Sequence, residues 1–276
     1  MPTPDIAAHY SRGHLLERLR ATLAAEGADP DRPTLEALAP HDQFHGRGLD
    51  ATAEVAGMLA VKPTDRILDI GSGIGGPARY FAHRFGCRVV GIDLTAEFCE
   101  VARVLTRALG LQDRVSFEAG DALKMPFADA SFDGAYSMNV SMNIADKDGL
   151  YREIHRVLKP GGLLVLSELA RGPGPGPQYP TPWAKTAASS FLSTPADTRR
   201  QLEANGFAIV TMRETVEEAL AYNVRARAMI ERGEKPPHRA VALIHRELAK
   251  EMGANTGRAL ADGGLVPIEI LCRKRA

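Results

Sequence analysis

The chain has 276 residues, enough for one large domain with a cap. It is 45% hydrophobic and 25% charged, an ordinary balance for a buried core. Lys plus Arg and Asp plus Glu are equal at 34 each, so no bulk charge drives the chain toward nucleic acid or an anionic membrane. No apolar run approaches the roughly 18 residues needed to cross a bilayer. Residues 1–5 lack the basic and apolar regions of a secretion signal, so a cytoplasmic location is expected. Cys87, Cys99 and Cys272 are sparse, odd in number and form no CxxC pair. They read as small buried apolar residues rather than a disulfide framework or a zinc site.

In chain order, residues 6–26 carry a helical pattern, with Leu15, Leu19 and Leu23 on every fourth position. A break at 27–33 follows, then a second helix at 49–59, entered through His41-Asp-Gln-Phe-His-Gly-Arg-Gly48. Strands and helices then alternate. Strands are expected at 66–70, 88–92, 115–118, 134–138 and 163–169. Helices are expected at 77–85, 96–109 and 151–158. This alternation implies a parallel sheet covered on both faces, with the ligand at the carboxyl ends of the strands. The segment 171–182 holds five prolines and is a loop that either connects or gates. A helix at 195–205 and a strand at 207–215 come next. Helices at 217–231 and 238–252 and a last strand at 265–272 complete the chain.

The chemistry is concentrated after the first strand, in Asp69-Ile-Gly71-Ser-Gly73-Ile-Gly75-Gly76. Glycines let the backbone turn sharply and approach a ligand closely. The spacing of Gly71, Gly73 and Gly76 is also that of the dinucleotide fingerprint. Asp93 ends the second strand, where a carboxylate can accept hydrogens from ribose hydroxyls. Asp121 ends the third and suits an adenine amino group. Asp69 stands two residues before the first glycine and suits a cationic amine. A carboxylate there disfavours the two phosphates of a nicotinamide dinucleotide, which want a helix N-terminus without a nearby acid.

The motifs DIGSGIGG, GIDL, GDALKMPF, FDGAYS and LKPGG occur in that order. Together they resemble the class I methyltransferases that use S-adenosyl-L-methionine, strongly over residues 64–169. The resemblance implies an α/β fold: a Rossmann-like seven-stranded mixed sheet flanked by helices, its last strand antiparallel. It implies an N-terminal helical cap at 1–61 and a core at 62–276, with 171–193 and 217–262 as lid or cap segments. It also implies that Asp69, Gly71 and Gly73 hold the methionine part of the cofactor. Asp93 would bind the ribose, Leu94 would pack on the adenine, and Asp121 and Ala122 would meet its edge. Asn139 would lie beside the sulfonium.

The segment 44–52 further resembles small-molecule enzymes of the sarcosine/dimethylglycine, phosphoethanolamine and quinone-biosynthesis types. By that likeness Gly46, Arg47 and Gly48 close over the methionine end. Where the phosphoethanolamine enzymes carry a histidine past the fourth strand, this chain has Asn143, and their tyrosine partner has no clear match.

The expected activity is in-line methyl transfer to a small-molecule acceptor, at N, O, S or C, with an amine slightly preferred. Neither nucleic acid nor membrane is expected as a partner. The apolar positions of 217–252 suit core, lid or homodimer contacts. The candidate catalytic residues are His45, Glu168 and Asn143; among the possible bases His41, His45, His155 and Glu168, His45 is the first choice and His155 reads as a packing residue. His41 and His45 have the spacing of metal ligands, but the flanking Pro40, Gly46 and Gly48 oppose a helix there, so no metal is expected. Tyr10 and Trp183 are candidate pocket walls. The competing readings are a binding module without catalysis and a nicotinamide oxidoreductase.

Overall fold

The computed structural model describes residues 9–10 and 13–275. The expectation for residues 1–5 and the start of the first helix lie outside them. Three helices precede the sheet: α1 (Leu15–Ala25), α2 (Leu35–Asp42) and α3 (Leu49–Leu59). Then follow β1 (Arg66–Ile70), α4 (Gly76–Phe85), β2 (Arg88–Asp93), α5 (Ala96–Ala108), β3 (Val115–Ala119), β4 (Phe132–Met138), α6 (Lys147–Val157) and β5 (Leu158–Arg171). The chain ends with α7 (Pro195–Ala204), β6 (Phe207–Glu214), α8 (Val216–Glu231), α9 (Ala240–His245), α10 (Ala249–Ala261) and β7 (Leu265–Lys274).

The seven strands are ordered β3-β2-β1-β4-β5-β7-β6, and β7 runs antiparallel to both neighbours. The chain leaves β1 toward β2 and β3, then returns to lay β4 on the other side of β1. That reversal opens a crevice at the carboxyl ends of β1 and β4. Alternation along the strands loads both faces of the sheet. Leu68, Ile70 and Ile92 join a core with α6 and α7, while Ile67 and Val89 join another with α3, α4 and α5. A third apolar cluster joins Leu15, Leu19 and Leu23 of α1 to Phe98 and Leu105 of α5 and to Leu243 of α9. The helices before the sheet and the segment between β6 and β7 therefore meet beside α5, on the β2 side of the crevice.

Three helices depart from the sequence reading. Helix α2 was not foreseen, because Pro40 sits inside it; Thr34 caps it by accepting from the Ala37 amide. The helix expected at 238–252 is broken into α9 and α10 at Arg246, whose φ of 55° cannot continue a right-handed helix. The helix expected from 151 begins earlier, at Lys147, where Asp146 accepts from the Gly149 amide.

A buried ion pair ties α2 to α4. Arg79 Nη2 lies 2.9 Å from Asp42 Oδ2, and Arg79 Nη1 donates to the Ile74 carbonyl at 2.7 Å. Removing one partner strands the other charge in the interior. Arg79→Met is expected to cost about 3–5 kcal/mol in urea unfolding, with part of the loss recovered on adding Asp42→Asn. A single variant as stable as the parent would contradict this role.

Candidate functional site

The turn from β1 to α4 forms the floor of the crevice. Gly71 and Gly73 have φ of 72° and 53°, a region in which side chains are strained. A Cβ on Gly71 would come within 2.2 Å of a Val140 methyl, and one on Gly73 within 2.9 Å of the Phe44 ring. The loop is fixed to β2 from both sides of its backbone. Gly71 N donates to the Ile92 carbonyl at 2.8 Å, and Gly73 N donates to Asp93 Oδ2 at 2.8 Å. The other carboxylate oxygen of Asp93 accepts from the Thr95 amide at 2.8 Å. Burial raises the Asp93 carboxyl above its ordinary value, opposed by these two amides.

Above this loop lies a cavity of about 660 Å³. Of the predicted residues it gathers Gly71, Gly73, Asp93, Leu94, Asp121, Ala122, Asn139 and Asn143, and also Tyr10. Leu94 presents an apolar side chain that is 48% exposed. Asn139 sits just beyond β4 with φ of 56°, its amide bonded to the Ser167 carbonyl. Tyr10 supplies the partner that the sequence reading did not find for Asn143: Asn143 Nδ2 donates to the Tyr10 hydroxyl at 3.3 Å. Burial raises the Tyr10 phenol further above its ordinary value.

Six predicted residues, His45, Arg47, Gly48, Asp69, Glu168 and Trp183, stand off the cavity. His45 is buried 5% exposed, with Nδ1 3.2 Å from the Gly46 carbonyl and Nε2 3.0 Å from the Thr52 hydroxyl. Burial pushes its pKa down to about 3. A base that weak is poorly matched to proton abstraction near neutral pH. Its neighbour Phe44 faces the cavity instead, edge-on to Phe98 at 5.3 Å.

Gly48 starts α3 and faces His238 and Tyr222. Arg47 beside it is spent in a network: both of its terminal nitrogens meet Glu54, and Nη2 meets Glu269 at 2.6 Å. The glycine pair is thus pinned to β7 rather than closed over the glycine loop.

Glu168 is buried on β5 and accepts from the Ser137 hydroxyl and the amides of Val140 and Ser141. Burial raises its carboxyl, and those donors oppose the rise. It shapes the loop after β4 and is not a lining residue. Asp69 lies beneath the glycine loop, 2% exposed, its Oδ2 without a hydrogen-bond partner. Trp183 packs with Met142 behind the wall and donates to Ser190.

The sequence reading missed Phe44, Phe98, Phe191 and Lys147. The first three are single aromatic residues in mixed surroundings, with no motif to mark them. Lys147 is buried at the first turn of α6, where a cation opposes the helix dipole. Its ammonium donates to the carbonyls of Ser141, Ile144 and Phe191. It therefore joins the β4–α6 loop to the β5–α7 loop, two walls of the cavity. Burial pushes its pKa down to about 8.

Residues 68–166 match a family model described as a methyltransferase domain. This segment is a methyltransferase domain. It contains the glycine loop, the β2 acid and the β4 loop, and the family draws on S-adenosylmethionine. Phosphoethanolamine N-methyltransferase 3 of Arabidopsis thaliana is 40% identical over 133 residues, 48% of this chain and 27% of that protein. The 24-methylenesterol C-methyltransferase 2 of Oryza sativa subsp. japonica is 41% identical over 139 residues, 50% of this chain and 36% of that protein. The chain thus spans about a quarter to a third of the length of these relatives. The crystal structure of the [4+2]-cyclase SpnF superposes with a TM-score of 0.67 at 23% identity, covering 95% of this chain and 94% of that one. That likeness concerns the fold alone, which serves other chemistry too.

The residues present fit the cofactor of this domain. Among the described residues the cavity has no Lys, Arg or His to meet phosphates, yet it has the carboxylates Asp93, Asp121 and Asp146. The orphaned Asp69 oxygen beneath the loop adds a further site of negative potential when ionised.

Burial raises the Asp69 carboxyl from its ordinary 3.8 to about 7, with the Asp93 charge adding to the rise. The folded state then holds that proton more tightly than the unfolded one. This contribution to stability is complete below about pH 4 and is lost as pH rises toward 7. Asp69→Asn should therefore gain on the parent by on the order of 2–4 kcal/mol between pH 4 and pH 8, read from urea unfolding at both. A parent–variant gap independent of pH would refute it.

Proposed function

We propose that the whole chain transfers the methyl group of S-adenosylmethionine to a small-molecule acceptor bound in the same cavity. The observation that carries this is the convergence of the Gly71–Gly73 loop, Asp93, Leu94, Asp121 and Asn139 on one cavity inside the matched domain. The phosphoethanolamine and sterol relatives support a small acceptor, without deciding which atom receives the methyl group.

In this reading Asp93 accepts from the ribose hydroxyls while keeping its backbone bonds, since a carboxylate has about four acceptor positions. Leu94 and Ala122 flank the adenine, Asp121 meets its amino edge, and Asn139 lines the methionine end with Gly71 and Gly73. When bound, S-adenosylmethionine supplies a methyl group already activated on a sulfonium. The chain's own task is to align the acceptor and exclude water, which can supply several kcal/mol. His45 and Glu168 are engaged elsewhere, so the residues brought together here favour alignment over base catalysis. Helices α1 to α3 and the segments 171–193 and 217–262 act as the cap, contributing Phe44 and Phe191 to the walls.

Incubation with methyl-labelled cofactor and a metabolite extract should give a labelled small molecule. Retained cofactor binding without any label transfer would favour a binding module. Leu94 gives a clean test of cofactor placement, because it is half exposed before any ligand arrives and its loss spares the fold. Leu94→Ala should weaken S-adenosylhomocysteine binding by roughly 1–2 kcal/mol in titration calorimetry, about the cost of the apolar area removed. Unchanged affinity would move the adenine elsewhere.

A further inference from the structure

We infer that the acceptor is an uncharged, largely apolar molecule, held by a hydroxyl or carbonyl group between Tyr10 and Asn143; this rests on the methyl-transfer reading above. Three observations lead to it.

The first is the wall. Ile144, Ala188 and Phe191 present apolar surface to the cavity, and the two loops carrying them are locked together by Lys147. Phe191 N also donates to the Met142 carbonyl at 2.8 Å, so the join is made twice. A fixed apolar wall rewards an apolar occupant and leaves a charged one desolvated.

The second is charge. Among the described residues no cation lines the cavity. The Lys147 protons are all given to carbonyls, and Arg47 is spent on Glu54 and Glu269. Of the acids that line it, Asp93 and Asp121 belong to the cofactor in this reading and Asp146 caps α6. A phosphate or carboxylate on the acceptor would find no cationic partner there. A protonated amine would have no lone pair to offer the methyl group.

The third is the polar pair itself. Asn143 Nδ2 donates to the Tyr10 oxygen, so that oxygen is an acceptor in the pair. The phenol proton and the Asn143 amide oxygen make no hydrogen bond among the described residues. One donor and one acceptor are then offered side by side, both neutral. A hydroxyl satisfies both, and a carbonyl satisfies the phenol. A site built to hydrogen-bond such a group rejects an analogue lacking it, because its own polar atoms are left unpaired.

The test uses the S-adenosylhomocysteine-loaded protein and two fluorescent probes of similar shape, naphthol and naphthalene. Naphthol should bind about tenfold or more tightly than naphthalene. Tyr10→Phe should remove most of that difference and leave naphthalene binding as it was. Ala188→Asp places a carboxylate on an exposed wall position at little risk to the fold. It should weaken both probes by about tenfold while sparing S-adenosylhomocysteine affinity. Inorganic phosphate and pyrophosphate should not displace either probe. Equal binding of the two probes, indifference to Tyr10→Phe, or displacement by pyrophosphate would overturn the inference. Failure to bind S-adenosylhomocysteine at all would strike first at the methyl-transfer reading, and this one would fall with it.

Discussion

The hydrogen bond from the Gly73 amide to Asp93 Oδ2 is the contact on which the site depends. It fastens the turn after β1 to the end of β2, and the second oxygen fastens Thr95 at the start of α5. One carboxylate thereby sets the positions of two loops that enclose the cavity. The glycines make this possible, since neither Gly71 nor Gly73 has room for a side chain beside Val140 and Phe44. The carboxylate is kept in partly buried surroundings, where a hydrogen bond to a charged group is worth more than on the surface.

Buried charge is used around the site mainly to hold backbone in place. Glu168 collects the amides of Val140 and Ser141, and Lys147 collects carbonyls from both neighbouring loops. Arg47 with Glu54 and Glu269 pins the segment before α3 to the sheet. Each is expensive to desolvate and is kept by a full set of partners. The result is a cavity with mostly apolar walls, behind which Glu168, Lys147 and Arg47 stand. Such an arrangement suits a reaction that needs alignment more than proton transfer.

The strand–helix alternation was legible because buried strands and their turn residues leave a periodic mark, whereas the reversed last strand followed from the resemblance to the methyltransferases and not from any periodicity. The gathering of the glycine loop and the strand-end acids on one cavity was legible for a related reason. Gly71, Gly73, Asp93 and Asp121 stand at strand ends, where position in the sequence fixes position in the fold. The remaining walls of the cavity were not. His45 and Phe44 are neighbours in the bend between α2 and α3, where Phe44 faces the cavity and His45 does not, and no pattern in 41–48 says which. Glu168 ends up near the right edge of the sheet but is consumed by amides that only the folded loop supplies. Tyr10 and Asn143 lie 133 positions apart, and their contact is created by the docking of the N-terminal segment. Helix α2 was hidden by a proline inside it.

Hydrogen–deuterium exchange with and without S-adenosylhomocysteine tests the central claim, that one cavity above the glycine loop receives the cofactor. Protection is expected in the backbone around 71–75, 93–95 and 121–123, with smaller changes in the loop after β4. Protection confined to other surfaces, or no protection while the ligand is bound, would contradict it.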